Sequence, residues 1–153
     1  MSLFKRKKNV ILSPTTGQLL CIEDVEDPVF SSGAMGGGFA IEPSDNQIFA
    51  PIDGTISSIF PTKHAITIEG KQGLKLLIHI GLDTGELNGQ GFDLKVVEGD
   101  RISKGDIIGN VDFDFIKNQG KGKTIVVIIL ESETKLTVNN QEVKAKQQIF
   151  EID

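Results

Sequence analysis

Short runs rich in Val, Ile, Thr and Phe, divided every few residues by glycine or proline, set the rhythm of the chain. That rhythm predicts an all-β protein, an antiparallel β-sandwich or barrel in which turns punctuate short strands. Helices should be few and short. The best helical segment, Asp112 to Asn118, offers a turn or two without a convincing apolar stripe, whereas Ile125 to Leu130 is apolar at every position and predicts a strand covered on both faces. Ser13-Pro14-Thr15-Thr16-Gly17-Gln18-Leu19 is echoed 37 residues later by Ala50-Pro51-Ile52-Asp53-Gly54-Thr55-Ile56. In both copies Pro and Gly mark a turn that feeds a strand, which fits a sandwich of two related halves. A further cue runs from Val97 to Asp106, where Gly99 and Gly105 bracket a short apolar strand and are expected at positive φ.

The pattern also brings the only two histidines together. Two strand-like runs, from His64 to Glu69 and from Leu74 to His79, flank Gly70-Lys71-Gln72-Gly73 and predict a β-hairpin. A turn centred on Lys71-Gln72 sets His64 opposite His79, Ile66 opposite Leu77 and Thr67 opposite Leu76. Opposed residues of an antiparallel pair share a face, with Cβ atoms about 4.5 to 5.5 Å apart, so the two imidazoles would share one site. A slip of one residue would send them to opposite faces. Two cationic rings this close repel, so at least one should be neutral near pH 7 and keep a nitrogen lone pair for attack. Phosphoryl transfer needs an aligned nucleophile and donors for charged oxygens; one ring can serve as each.

Composition narrows the picture. The 153 residues, 39% hydrophobic, suffice for one core, predicted over residues 10–153 and preceded by a basic tail at 1–9. Nine Phe stand without Trp or Tyr, so Ile, Val, Leu and Phe must build that core. The net charge of −5 conceals Lys5, Arg6, Lys7 and Lys8; without them 12 basic residues face 21 acidic ones. An acidic body argues against nucleic acid and for a protein partner with a basic face. Residues 5–8 offer at most a weak contact with anionic lipid. No apolar run approaches the roughly 20 residues that cross a bilayer, and no signal peptide is evident, so a cytoplasmic location is expected. Cys21 has no internal partner and, with nothing basic nearby to lower its pKa, is expected as a small core residue.

Phe60-Pro61-Thr62-Lys63-His64-Ala65, Ile78-His79-Ile80-Gly81-Leu82-Asp83-Thr84 and Glu86-Leu87-Asn88-Gly89-Gln90-Gly91-Phe92 resemble the segments around the two histidines of the glucose-family IIA components of the bacterial sugar phosphotransferase system. The resemblance extends upstream through Glu23 to Phe30, Gly38 to Ile41 and Ala50 to Gly54, and so covers most of the chain. It implies the antiparallel sandwich with a duplicated motif, no bound cofactor, and a phosphohistidine intermediate. His79 would accept the phosphoryl group on Nε2 from HPr and pass it to a cysteine of the IIB domain of a sugar permease, and so indirectly serve the membrane IIC permease. His64 would hydrogen-bond the phosphoryl oxygens and Thr62 would orient His64. Val29, Phe30, Phe60, Ile80, Gly81 and Asp83 would surround the site and meet partners. The sequence departs from the family's pattern at Gly85, where a larger residue is usual, and in Gly36-Gly37-Gly38; both are expected to loosen loops beside the site. Ending at Asp153 without a permease or IIB segment, the unit is expected to be free-standing.

Other readings are weaker. Gly120-Lys121-Gly122-Lys123-Thr124 resembles the end of a phosphate-binding loop, but Lys117 stands where a glycine is required and a strand follows instead of a helix. The two histidines with Asp83 could hold zinc, as in a metallohydrolase, though regular ligand spacing is missing. A swinging-arm carrier domain would need a modified lysine at a hairpin tip, such as Lys71, without the usual flanking residues. A regulatory binding module that keeps the fold but not the transfer is the main alternative.

Overall fold

A computed structural model describes residues 9–132, 136 and 138–152; the basic segment Lys5 to Lys8 lies outside the described residues. Its strands are β1 (Asn9–Leu12), β2 (Gly17–Cys21), β3 (Gly36–Pro43), β4 (Gln47–Phe49), β5 (Gly54–Ile59), β6 (Ala65–Glu69), β7 (Lys75–Leu82), β8 (Phe92–Leu94), β9 (Arg101–Ile102), β10 (Ile107–Val111), β11 (Gly122–Leu130), β12 (Gln141–Val143) and β13 (Gln148–Ile152). Two short helices interrupt them, α1 (Pro28–Ser31) and α2 (Phe113–Asn118). The second coincides with the segment read from sequence as the best helical candidate.

All the pairings are antiparallel. Eight strands form one sheet in the order β12-β2-β3-β11-β7-β6-β5-β9; β4-β10-β8 and β1-β13 form two smaller ones. Alternation along each strand divides the apolar side chains. Ile66, Ile68, Leu76, Ile78, Ile80, Ile125 and Val127 join the main core between the sheets, while Ala65, Leu77, Val126 and Ile128 line the outer face of the large sheet. The run Ile125 to Ile129 is buried throughout because that outer face is covered too, by Ile22, Val25 and Phe30. Removing any one of these fully buried aliphatic side chains would cost about 2–5 kcal/mol.

The sequence echo is a structural duplication. Leu12 N–H donates to Pro51 O (2.9 Å) and Phe49 N–H to Pro14 O (2.8 Å), an exchange that maps onto itself under the 37-residue shift. Ser13 O accepts from Lys146 N–H and Ala50 O from Gly105 N–H, so the Val97 to Asp106 segment also has a counterpart, at the chain's end. Gly99 and Gly105 have positive φ (93° and 87°), and Lys146 matches Gly105 at 72°. Between β7 and β11 the register pairs His79 with Val126 and Leu77 with Ile128, symmetric about Ile78 and Val127. The position equivalent to His79 in the other half is therefore Ile128.

The hairpin register differs from expectation by one residue. Ala65 pairs with His79, Ile66 with Ile78 and Thr67 with Leu77, because the loop is five residues long and centred on Gln72, closed by Gly70 N–H to Leu74 O (2.8 Å), with Gln72 and Gly73 both at positive φ. The glycine run is also not a loop. Gly36–Gly38 belong to β3, and a Cβ on Gly38 would lie 1.9 Å from Val127 O, so glycine is needed for the close approach of β3 to β11. Gly38→Ala should therefore lower stability by roughly 2–3 kcal/mol in urea unfolding; an unchanged midpoint would show that the two backbones are not so close.

Candidate active site

The two imidazoles meet on the outer face of the large sheet, ring centroids 5.0 Å apart and nearly perpendicular at 80°. His79 lies within β7, flanked on its face by Ala65 and Val126. By register His64 stands across from Ile80, and a continued strand would send its side chain to the core face. The strand does not continue. Phe60-Pro61-Thr62-Lys63 forms a tight turn closed by Lys63 N–H to Phe60 O (2.7 Å), with Lys63 left-handed at φ 64°, and His64 leaves it outside the regular pleat. The slipped register thus does not part the rings, because His64 lies in the turn and is exempt from strand alternation.

Each ring has one nitrogen engaged. His79 Nδ1 lies 2.8 Å from Gly81 O. A carbonyl only accepts, so Nδ1 carries the proton and Nε2 of the neutral ring holds the lone pair. His64 Nδ1 lies 2.7 Å from Thr62 Oγ1, which leaves its Nε2 free as well. The Gly81 carbonyl is available because the ladder to β11 is irregular there, the register skipping from Ile80–Ile125 to Leu82–Gly122, and because Gly81 has φ 83°.

Apolar side chains frame the pair. Phe30 packs on His79 (4.8 Å) and is buried, held by α1, whose first turn begins with Pro28 and is capped by Asp27 accepting from Val29 N–H (3.0 Å). Phe60 meets His64 edge-on at 5.5 Å. Val29 and Phe60 are 53% and 50% exposed, an apolar rim that solvent reaches. Asp83 is exposed, in left-handed backbone at φ 59°. Ile80 needs correction as a surface contact: alternation turns its fully buried side chain into the main core, and only its backbone serves the site. Gly81 is likewise buried. Gly85 sits in the 3-10 turn Thr84–Leu87 directly against His64, where a Cβ would be 3.1 Å from Cε1, and the neighbouring Glu86 is paired with Lys121, which holds its carboxyl below the usual range.

Sequence reading gave no individual role to Asp27 or Thr84. Asp27-Pro28 carried a signal, a capping residue followed by proline at a helix start. Thr84 carried none, since nothing in a sequence shows that a loop hydroxyl is buried. Among the described residues no group of three or more His, Cys, Asp or Glu is placed to hold a metal ion. Cys21 is half-buried, its Sγ donating to Val138 O.

The class the fold defines is an antiparallel β-sandwich with two adjacent imidazoles on its outer face inside an apolar rim. Over residues 9–135 the chain matches the family described as phosphoenolpyruvate-dependent sugar phosphotransferase system, EIIA 1. It is 41% identical over 139 residues to a PTS system glucose-specific EIIA component of Staphylococcus epidermidis, covering 90% of this chain and 84% of that one. It is 37% identical over 151 residues to the Staphylococcus aureus protein of the same name, covering 96% and 91%. The fold matches glucose permease IIA from Mycoplasma capricolum with a TM-score of 0.86 at 35% identity, over 97% of both chains. The chain belongs to this EIIA family of the sugar phosphotransferase system. Among the described residues no helix is long and apolar enough to cross a membrane.

Burial, and secondarily the charge of His64, hold the His79 pKa below the ordinary 6.5, against opposing effects of the Gly81 hydrogen bond, Asp27 and Asp83. Burial also lowers His64, against hydrogen bonding at Thr62. Below pH 6.5 the unfolded chain therefore binds more protons than the folded one, so stability should fall as pH drops from 6.5 through the lowered folded values. NMR titration of the ring protons should place both midpoints below 6.5, and His79→Gln should flatten the acid limb of the stability profile. A His79 midpoint above 6.5 would contradict this electrostatic balance.

Proposed function

We propose that the chain is a phosphoryl carrier that takes a phosphoryl group from HPr onto His79 Nε2 and gives it to a cysteine of a sugar-permease IIB domain. The observation that carries this reading is the hydrogen bond from His79 Nδ1 to Gly81 O, which leaves the lone pair on Nε2, beside a second imidazole. In the first step that lone pair forms the new N–P bond as the donor's own N–P bond breaks and its electron pair returns to the donor imidazole. The His79 proton stays on Nδ1, held by Gly81 O, so the phosphorylated ring is cationic and leaves readily. In the second step a thiolate attacks phosphorus, the N–P bond breaks, and neutral His79 is restored with its proton still on Nδ1.

His64 serves as donor. His64 Nδ1 is engaged at Thr62, and in the cationic ring, or in the neutral tautomer whose Nδ1 accepts from the Thr62 hydroxyl, its Nε2–H is directed to the phosphoryl oxygens. Val29 and Phe60 form the apolar rim that a partner covers, excluding water during transfer. Asp27 and Asp83, both near enough to act on His79, give the rim a negative cast suited to a basic partner face. The glucose-specific names of the staphylococcal relatives suggest glucose as the sugar served.

Incubation with enzyme I, HPr and phosphoenolpyruvate should add the mass of one phosphoryl group, stable in base and lost in acid. His79→Ala should abolish the addition. His64→Ala should slow it on the order of a hundredfold, since a donor is lost and the nucleophile kept. Full labelling of the His79 variant would end this mechanism, and an unlabelled parent would favour a purely regulatory module.

A further inference from the structure

The two phosphate-handling rings depend on one short stretch of backbone, Ile80-Gly81, and a single buried side chain grips both of its residues. Thr84 is fully buried. Its hydroxyl donates to Ile80 O at 2.6 Å. Its methyl occupies the space a side chain at residue 81 would need: a Cβ on Gly81 would lie 2.3 Å from Thr84 Cγ2.

The need for this grip follows from the irregularity of the strand. In an antiparallel ladder a residue's N–H and C=O point to the same side and exchange bonds with one partner residue. Ile80 N–H donates to His64 O (2.7 Å), but at His64 the neighbouring strand has already turned away, and the Thr84 hydroxyl occupies the Ile80 carbonyl instead. Immediately beyond, Gly81 has φ 83°, a torsion glycine can change at little cost. With the preceding peptide bonded and the Cα face covered by a methyl, that torsion is confined, and the Gly81 carbonyl stays aimed at His79 Nδ1.

On the phosphoryl-carrier reading given above, we propose that Thr84 is a positioning residue for the transfer: its hydroxyl on Ile80 and its methyl on Gly81 fix the carbonyl that holds the His79 Nδ1 proton, and so keep Nε2 as the free nitrogen. Thr84 does not reach the surface and touches no partner. Its loss therefore acts on the chemistry after docking, leaving affinity for the donor unchanged. The same grip ties His64 to His79, since Ile80 bonds backbone to backbone with His64 and side chain to backbone with Thr84.

The test pairs Thr84→Val, which keeps the shape and removes the hydroxyl, with Thr84→Ser, which keeps the hydroxyl and loses the methyl. Nitrogen-15 NMR of the imidazoles at a pH where His79 is neutral reads the tautomer directly, without any phosphoryl donor. The parent and Thr84→Ser should show His79 protonated at Nδ1, and Thr84→Val should show a mixture. With phosphorylated HPr, Thr84→Val should accept the group on the order of tenfold more slowly at saturating donor with an unchanged KM, and Thr84→Ser should recover most of that rate. Backbone NMR shifts away from residues 79–86 establish that each variant is folded; Thr84→Ala replaces the valine variant should that one not fold. A valine variant with the parent's tautomer and rate would overturn the proposal, as would a serine variant no better than valine. An unlabelled parent would sink the carrier reading, and the tautomer comparison would then judge Thr84 alone.

Discussion

The hydrogen bond between a ring nitrogen of His79 and the carbonyl of Gly81 is the constraint on which the site depends. Because the carbonyl can only accept, it settles which nitrogen of the imidazole is protonated without help from a charged residue. A carboxylate there would do the same and would also raise the pKa of the ring, favouring the protonated form that cannot attack. A neutral backbone acceptor orients the ring with less effect on its charge. The geometry that frees this carbonyl, a skipped register and a glycine at positive φ in the middle of an otherwise regular sheet, is a local departure from β structure with a chemical consequence.

The duplicated frame explains why such a departure can be afforded. Two halves with equivalent turns and a shared central pair, β7 and β11, enclose a continuous core whose side chains are almost wholly buried. The pseudo-symmetric frame offers two equivalent positions on the outer face, and only one carries an imidazole; the other is Ile128, buried in the apolar layer. Strand pairing on the functional side ends early, at Ala65, so that the chain can turn and deliver His64. On the other side Gly36–Gly38 keeps pairing with β11 through its length, and the close contact there requires glycine. The two halves differ where one ends its ladder beside the histidines and the other continues it.

Much of this was legible beforehand, and the misses have physical causes. The all-β class, the strand at Ile125 to Leu130 and the short helix near Asp112 to Asn118 follow from patterning, which depends on the burial of whole faces. The meeting of His64 and His79 was also read from sequence, through a register that was wrong by one. Turn residues reveal that a hairpin exists, but its loop length depends on which of Gly70, Lys71, Gln72 and Gly73 take positive φ, and two of them do. Gly36-Gly37-Gly38 suggested looseness because glycine is ambiguous: it serves both a mobile loop and a close backbone approach, and only the neighbouring strand decides between them. Thr84 was invisible as an individual contributor for the same reason, since its role comes from burial against residues three and four positions earlier.

Two demands on the site oppose each other, and the arrangement of its walls reconciles them. A neutral nucleophile calls for burial, which lowers the His79 pKa, and the second imidazole adds to that effect. On the proposed carrier role, docking a protein that carries the phosphoryl group calls for an open surface with negative charge, which acts on the ring in the reverse direction. The structure separates the two in space. Phe30 packs against His79 and is buried, whereas Phe60 and Val29 stand half in solvent around the pair. Asp27 and Asp83 influence the ring, yet among the described residues no carboxylate is hydrogen-bonded to it: Asp27 is occupied in capping the helix that carries Phe30. That arrangement lets one residue, Asp27, support the buried wall and supply negative charge near the ring without a direct bond to it.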